Sequence, residues 1–310
     1  MQHVATIKRR KWSKMARQEF LAGLIFALPW IIGMVAFLAY PMVASLYYSF
    51  TRYDIPKPPR WIGLANYISL LTKDRFFPKA LYNTLYLTVI GIPVQIIFAL
   101  ICALLLNLKI KGQAIWRTIY VLPTLMPAVV TAILWNWILN PNLGLVNNAL
   151  KLLHITGPLW FASPDWSKPS MIIMQTWAVG SMTIIYLAAL QGVPIELYGA
   201  AELDGAGWWR KFTDVTLPMI SAVTLFQLIT GVLWSLQFFT AAYLIGGGGA
   251  TPGAPQGSLL FYGLYLYVEA FEYLQMGYAS ALAWILFVIS VIVTVVTLKG
   301  SERWTHYDVA

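Results

Sequence analysis

The stretch ELYGAAELDGAGWWRKFTD (residues 196–214) carries all the charge between two long uncharged runs, 169–195 and 215–268. An apolar run of about 20 residues is long enough to cross the hydrocarbon core of a bilayer as a helix. Two such runs joined by a short charged segment indicate two membrane crossings with a loop between them. The loop itself is unusual, because glycines and tryptophans stand beside acids and bases within 19 residues.

The composition of the whole chain agrees with a membrane protein. Of 310 residues, 59% are hydrophobic and only 11% are charged, whereas soluble domains have about 25% charged residues. Segments that cross lipid must satisfy their backbone internally, so we expect an all-α membrane protein. The glycine- and proline-rich segment 246–257 divides the longest uncharged run into a span and a loop. Six transmembrane helices are predicted, at 21–43, 84–106, 117–139, 170–191, 216–240 and 277–298.

The distribution of Lys and Arg predicts which side each loop faces. If the N-terminus is inside, the cytoplasmic segments hold 13 basic residues and the outer loops hold 8, which follows the positive-inside rule. Both termini are then cytoplasmic. The predicted organisation is a basic tail (1–20), a six-helix transmembrane domain (21–298) and a short C-terminal tail (299–310). The net charge of +9 is attributed to membrane lipid rather than nucleic acid.

What the predicted spans lack restricts the function. Their cores contain no Asp, Glu, Lys, Arg or His, and proton-coupled carriers usually need an ionisable group there. The three histidines, His3, His154 and His306, show no metal-ligand spacing, and Cys102 is the single cysteine. No phosphate-binding G-x-x-x-x-G-K-[ST] motif occurs. We therefore expect a transport subunit rather than an enzyme, with no metal or cofactor of its own.

The loop between the fourth and fifth predicted spans, residues 193–218, is expected to form two short helices with a glycine hinge. Asp204 and Gly205 should end the first helix, and Asp204 could cap the second. Gly205 would also permit close approach of another backbone. The alternative is an ordinary interfacial loop, with Trp208 and Trp209 among lipid headgroups and the basic residues on lipid phosphate.

This loop resembles the EAA loop of the membrane subunits of bacterial ABC importers, E-A-A-x-x-D-G-A-x5-F-x-x-I-x-L-P. Gly199 departs from the pattern, since the family commonly has glutamate there, and Glu202 lies nearby. The resemblance implies that the loop docks on an ATPase. The residues implied in this coupling are Ala200, Ala201, Glu202, Asp204, Gly205, Ala206, Phe212 and Pro218.

The resemblance covers nearly the whole chain and narrows to the sugar permeases of the maltose and glycerol-phosphate type. It is carried by GLANYISLL (63–71), LLNLKIKGQAIWRTIYVLP (105–123), WNWILNPNLGLVNNAL (135–150) and MGYASAL (276–282). It implies a bacterial or archaeal cytoplasmic membrane and three partners. These are a second homologous permease, a pair of ATPase subunits that bind ATP and Mg, and an extracytoplasmic sugar-binding protein.

A sugar site must be neutral and partly aromatic, because sugars present hydroxyl edges and apolar faces. The resemblance places Thr124, Gln175 and Ser235 at such a site, and Trp234 and Gln237 are their neighbours. For each of these residues the alternative is helix–helix contact or anchoring at the membrane interface. Glycerol phosphate is less expected as a substrate, since a phosphate favours a base and the spans contain none.

The rival function from another class is a sodium-coupled secondary carrier of a neutral solute. Such a carrier would transport without partners and would require sodium. The paired carboxylates Glu269 and Glu272 have no histidine beside them, and we interpret them as part of the outer surface.

Overall fold

The computed structural model describes residues 13–108, 111–247 and 252–305. Most of the predicted basic tail, His3, His306 and part of the glycine run at 246–249 lie outside the described residues.

Within the described residues, four helices are long and apolar enough to cross a membrane on their own. They are span 1 (Lys14–Ser49), span 2 (Phe76–Asn107), span 5 (Ser221–Ile245) and span 6 (Met276–Ser301). Spans 1 and 2 each contain a π turn, at Val35–Ala39 and Leu87–Gly91. Span 5 is interrupted at residues 237–239, between the helices Ser221–Leu236 and Thr240–Ile245.

The other two predicted crossings are bent pairs of helices. Span 3 consists of Gln113–Leu125 and Ala128–Ile138, which meet at 101°, and span 4 of Pro164–Trp177 and Gly180–Gln191, which meet at 50°. Pro123 and Pro127 flank the bend of span 3, where a proline cannot donate a helical hydrogen bond. With each pair counted as one span, the described residues contain six candidate crossings, as predicted, whereas the two bends were not predicted.

The loops lie at two ends of the bundle. The near end is the end that carries the 193–218 loop, and the far end carries residues 50–75, 139–163, 246–247 and 252–275. The far end contains a two-stranded antiparallel ribbon, Thr51–Arg52 with Arg60–Trp61. It also contains short helices at Ala65–Thr72, Leu145–Leu152 and Tyr262–Tyr267. The near-end loop contains helices at Ile195–Leu203 and Trp208–Lys211, followed by turns at Phe212–Thr216 and Leu217–Met219.

Side-chain hydrogen bonds fasten the far-end loops to the spans. Asn83 of span 2 is buried, and its Nδ2 donates to the carbonyls of Gly257 and Leu260 at 2.9 and 3.0 Å. Ser167 of span 4 donates to the hydroxyl of Ser258 at 2.7 Å. These bonds satisfy polar groups that would be costly to bury unpaired, and they hold the 252–262 segment over spans 2 and 4.

The hydrophobic core lies among spans 2 to 6 and the far-end helix Tyr262–Tyr267. Tyr262 is fully buried there and donates its hydroxyl to the carbonyl of Leu282 in span 6 at 2.8 Å. Span 1 differs, because Ser49 is its single buried residue. The apolar side chains of span 1 therefore face the surroundings of this chain.

Glu269 corrects one expectation, because it is buried rather than part of the outer surface. It is 7% exposed, in the π turn Val268–Glu272. Burial raises the pKa of Glu269 to about 7, and the charge of Asp74 adds to that rise. The paired-carboxylate interpretation failed because a π turn does not keep residues three apart on one face.

Asp74 lies beside Glu269, but its pKa is shifted in the opposite direction. Burial opposes its ionisation, but hydrogen bonds from Tyr265, Tyr278 and two backbone amides together lower the pKa of Asp74. The Tyr278 hydroxyl donates to Oδ2 at 2.5 Å and the Tyr265 hydroxyl donates to the same oxygen. The ionised carboxylate thus joins the start of span 2 to span 6 and to the helix before it.

Candidate functional site

The first helix of the near-end loop ends at Gly205 in a Schellman motif. The Gly205 amide donates to the carbonyl of Glu202 at 3.0 Å, and the Ala206 amide donates to that of Ala201 at 2.8 Å. Gly205 has φ +76°, the left-handed conformation that this motif requires and that glycine adopts without strain. The predicted hinge is therefore present, and its cause is helix termination. Asp204 does not cap the next helix: Gly207 occupies that position, with no side-chain hydrogen bond.

This first helix, Ile195–Leu203, has no buried residue. Leu203 is 91% exposed and Ile195 is 77% exposed, and a Cβ added at Gly199 or Gly205 would meet no atom within 4 Å. Tyr198 faces the bundle, where its hydroxyl bonds to that of Thr216 at 3.0 Å. The open apolar side chains of this short helix, next to a glycine turn, present a surface that another protein can cover.

An ion pair joins the two helices of the loop. Lys211 Nζ donates to Glu202 Oε1 at 2.6 Å, and this hydrogen bond together with the Lys211 charge lowers the pKa of Glu202. Phe212 lies parallel to Trp208 with 5.7 Å between ring centroids. Phe212 also lines a cavity of about 530 Å³ between the loop and the ends of spans 2 and 4, and Tyr198 of the first helix and Trp208 of the second line the same cavity. Trp208 and Trp209 nevertheless remain 70% and 65% exposed.

Four of the five predicted sugar-site residues line one cavity of about 670 Å³ between spans 3, 4 and 5: Thr124, Gln175, Trp234 and Gln237. Ser235 lines a neighbouring cavity of about 480 Å³, which shares Gln175 and Trp234 with the first. The structure therefore brings together residues from spans 3, 4 and 5 that are far apart in the sequence. Among the residues that the structure describes, no ionisable side chain lines either cavity.

The cavity lies where three spans are interrupted. Met126 and Ala128 flank the bend of span 3, Ala178 stands at the bend of span 4, and 237–240 spans the interruption of span 5; all of them line it. Interrupted helices leave backbone groups without helical partners, which is tolerated inside a membrane where those groups line a cavity. Neutral side chains and unpaired backbone groups together suit the hydroxyl groups of a solute such as a sugar.

The hydrogen bonds of the predicted residues differ. Gln95 Nε2 donates to Gln175 Oε1 at 2.9 Å, while Gln175 Nε2 is buried without a partner in the described part of the chain. Ser235 is 4% exposed, and its hydroxyl contacts that of Thr88 at 2.6 Å and the carbonyl of Val232 at 2.9 Å. Gln175 therefore has a free donor at the cavity, whereas the Ser235 hydroxyl is occupied between spans 2 and 5.

Gln95 is the residue that the sequence analysis missed. It lines the 480 Å³ cavity and orients Gln175. A signal was present, because Gln95 is the one amide side chain in the apolar run from 84 to 106, and a polar side chain in such a run tends to face the bundle interior.

Within the described residues, no group of three or more His, Cys, Asp or Glu side chains is placed to hold a metal ion.

A model of the family described as binding-protein-dependent transport system inner membrane component matches residues 95–299. The chain belongs to this family, and it is an ABC transporter permease. The match includes the near-end loop, the whole lining of the 670 Å³ cavity and all of the 480 Å³ cavity except Ile92.

Individual relatives agree with this membership along the whole chain. A probable ABC transporter permease, YesP of Bacillus subtilis, is 38% identical over 300 residues, 96% of each chain. The sulfoquinovosyl glycerol transport system permease SmoG of Agrobacterium fabrum is 32% identical, over 91% of this chain and 90% of SmoG. Among solved structures, a chain of a bacterial alginate ABC transporter in complex with an alginate pentasaccharide-bound periplasmic protein superposes with a TM-score of 0.78. It is 25% identical, and the match covers 97% of this chain and all of that one.

Proposed function

We propose that this chain forms half of the translocation pathway of an ATP-driven sugar importer. The near end faces the cytoplasm, where the 195–203 helix docks on an ATPase subunit that binds ATP and Mg. A second, homologous permease supplies the other half. An extracytoplasmic binding protein delivers the sugar to the far end, and both termini are cytoplasmic.

The observation that carries the proposal is the meeting of three interrupted spans at one neutral cavity. In transporters built this way the substrate binds near the middle of the membrane, and the halves rock around it. The Gln175 donor, the Trp234 ring and the Gln237 amide offer hydrogen bonds and an aromatic face without charge. Trp234 is 79% exposed, so in the assembled importer its ring is available to substrate or to the second permease.

The near-end loop supports the coupling part of the proposal. The 195–203 helix offers small and apolar side chains to a partner, and the Glu202–Lys211 pair ties that helix to the segment leading into span 5. A push on the exposed helix would therefore move the span that lines the cavity. Glu202 is already paired inside the loop, so it does not replace the glutamate absent at Gly199.

Relatives support sugar as the substrate class. The solved neighbour binds a periplasmic protein loaded with an alginate pentasaccharide, and another relative is a permease for trehalose and maltose in Thermococcus litoralis. The cavity of about 670 Å³ falls in the range typical of small-molecule sites.

Purification of the affinity-tagged chain from its native membrane in mild detergent tests the proposal. Two copies of an ATPase subunit and one of a second permease are expected to accompany it. The double variant Leu203→Glu with Ile195→Glu should lose the ATPase and keep the second permease, since both changes are confined to the exposed helix. A wild-type chain that purifies alone would contradict the proposal and favour the sodium-coupled carrier.

A further inference from the structure

Spans 2 and 4 extend beyond their predicted limits at the far end, and each extension carries a lysine. Span 2 begins at Phe76 and includes Lys79, while span 4 begins at Pro164 and includes Lys168. A phosphate-bearing substrate was less expected because predicted spans 2 and 4, which begin at 84 and 170, contain no basic residue. The observed helices begin earlier, and their far-end turns carry the basic residues Lys79 and Lys168.

Lys168 lies against two aromatic rings of span 2. Its Nζ is 5.8 Å from the ring centroid of Tyr82 and 5.6 Å from that of Tyr86, within cation–π distance. No carboxylate lies within ion-pair distance of Lys168 anywhere in the described ranges. Asp165 attracts it from the preceding helical turn and Lys79 repels it. The half-buried ammonium therefore keeps a charge that no acid of the described chain neutralises directly.

The seam between spans 2 and 4 leads from this lysine to the cavities. The π turn Leu87–Gly91 inserts one residue into the helix, so Tyr82, Tyr86, Gly91 and Gln95 share the face directed at span 4. Gln95 bonds to Gln175, and a Cβ added at Gly91 would lie 3.4 Å from Ile172. Seven residues separate Lys168 from Gln175, or roughly 10 Å along the helix.

Lys168 thus stands at the far end of a seam whose other end forms the cavity wall. A half-buried ammonium between tyrosine rings suits a sugar that carries a carboxylate, because the cation binds the acid and the rings cover the apolar face of the sugar. Tyr82 is 60% exposed, so one ring is open to an arriving solute.

We propose that Lys168, with Tyr82 and Tyr86, forms an entry site that selects acidic sugars, meaning saccharides with a ring carboxylate. This inference rests on the proposed sugar-importer function and adds the charge class of its substrate. Lys79 reinforces the positive potential, while its Nζ is held by the carbonyl of Gln256.

The test measures uptake by the complete importer in cells whose own copy has been deleted. The probes are labelled disaccharides in matched neutral and acidic pairs: cellobiose with cellobiouronic acid, galactobiose with digalacturonate, and mannobiose with dimannuronate. Variants are Lys168→Gln, Lys168→Arg, and Lys151→Gln as a control that removes one exposed far-end lysine in the 145–152 helix.

We expect at least one acidic probe to be carried. Lys168→Gln should raise its KM about tenfold, since a charge-assisted contact is lost, while uptake of any neutral probe changes less than twofold. Lys168→Arg should restore most of the affinity, and Lys151→Gln should behave as wild type. High ionic strength should raise the KM of the acidic probe in wild type more than in Lys168→Gln.

Wild-type uptake of neutral probes alone would overturn the entry site and leave the sugar importer intact. An equal loss of neutral and acidic uptake in Lys168→Gln would overturn it too, because the lysine would then serve packing or lipid anchoring. Uptake of no probe by the wild type would count against the importer function and this site together.

Discussion

Gly205 offers the sharpest test of how the near-end loop works, because its two possible roles predict different orders of variants. As the residue that ends the 195–203 helix, it must hold φ +76°. As a contact point for an ATPase, it must also be small. Apart from its chain neighbours, no atom of the described chain lies within 4 Å of a Cβ added there, so we attribute any penalty from side-chain size to a partner.

The conformational penalty can be estimated from the backbone. A left-handed conformation costs a residue with a Cβ about 1–2 kcal/mol, and asparagine adopts it more readily than alanine. A penalty of that size corresponds to a factor of about 5–30 in an equilibrium constant, which is the upper limit for the effect on docking through the turn alone. Backbone strain therefore makes Gly205→Ala more harmful than Gly205→Asn, whereas side-chain size makes Gly205→Asn the more harmful of the two.

We expect side-chain size to decide the ranking in ATPase binding, and backbone strain to decide the ranking in thermal unfolding. Binding of the purified ATPase to the permease pair, titrated in detergent, should fall in the order wild type, Gly205→Ala, Gly205→Asn. The midpoint of thermal unfolding of the permease pair should instead rank Gly205→Asn at or above Gly205→Ala. Gly205→Asp should likewise abolish sugar uptake while the protein stays in the membrane.

Gly207→Ala is the matched control, because Gly207 is exposed in the same loop with φ −69° and has no neighbour within 4 Å. It should bind the ATPase as wild type does. If Gly205→Asn binds the ATPase better than Gly205→Ala, the glycine serves only to end the helix, and close docking at this point is refuted.

The remaining predictions concern the cavity, the far end and the packing of span 4. Gln175→Ala should raise the uptake KM several-fold without loss of folded protein, because it removes the free amide donor; an unchanged KM would remove Gln175 from the sugar site. Because the pKa of Glu269 is raised to about 7 from the usual 4.5, the neutral acid is favoured on folding. Stability should then decline as pH rises from about 4.5 to 7, by roughly 3 kcal/mol at most. Glu269→Gln should remove this decline in thermal unfolding, and an unaltered pH profile would contradict the buried-acid interpretation. Gly180→Ala should destabilise by about 1–3 kcal/mol, since the new Cβ would lie 2.5 Å from a carbonyl of span 3. Gly23→Ala in span 1, which has no neighbour within 4 Å, is its control, and equal unfolding temperatures for the two variants would refute the close packing.

The number of spans and the near-end loop could be predicted because both follow from where charge is absent. A long uncharged run indicates a segment that lipid can surround, and the Asp204-Gly205 pair indicates where a helix ends. The helix ends could not be set in this way. Lys79 and Lys168 bounded the predicted spans, yet each helix continues past its lysine because helical geometry does not stop at the edge of the hydrocarbon.

The bends of spans 3 and 4 were harder to predict, because an apolar run has the same composition whether the helix is straight or broken. Pro123 and Pro127 marked one bend of 101°, but prolines also occur in continuous spans, as Pro29 does in span 1. Ser235 shows a further limit. Its hydroxyl is bound to Thr88, 147 residues away, and no local pattern distinguishes a hydroxyl that faces a neighbouring helix from one that faces a substrate.

The most direct test of the central claim is sugar uptake into proteoliposomes that contain this chain, its partner permease and the ATPase, with the sugar-loaded binding protein outside. If the chain is part of a sugar importer, uptake requires enclosed ATP, disappears with the Leu203→Glu and Ile195→Glu double variant, and does not respond to a sodium gradient. Sodium-driven uptake by this chain alone, without ATP or partners, would contradict it.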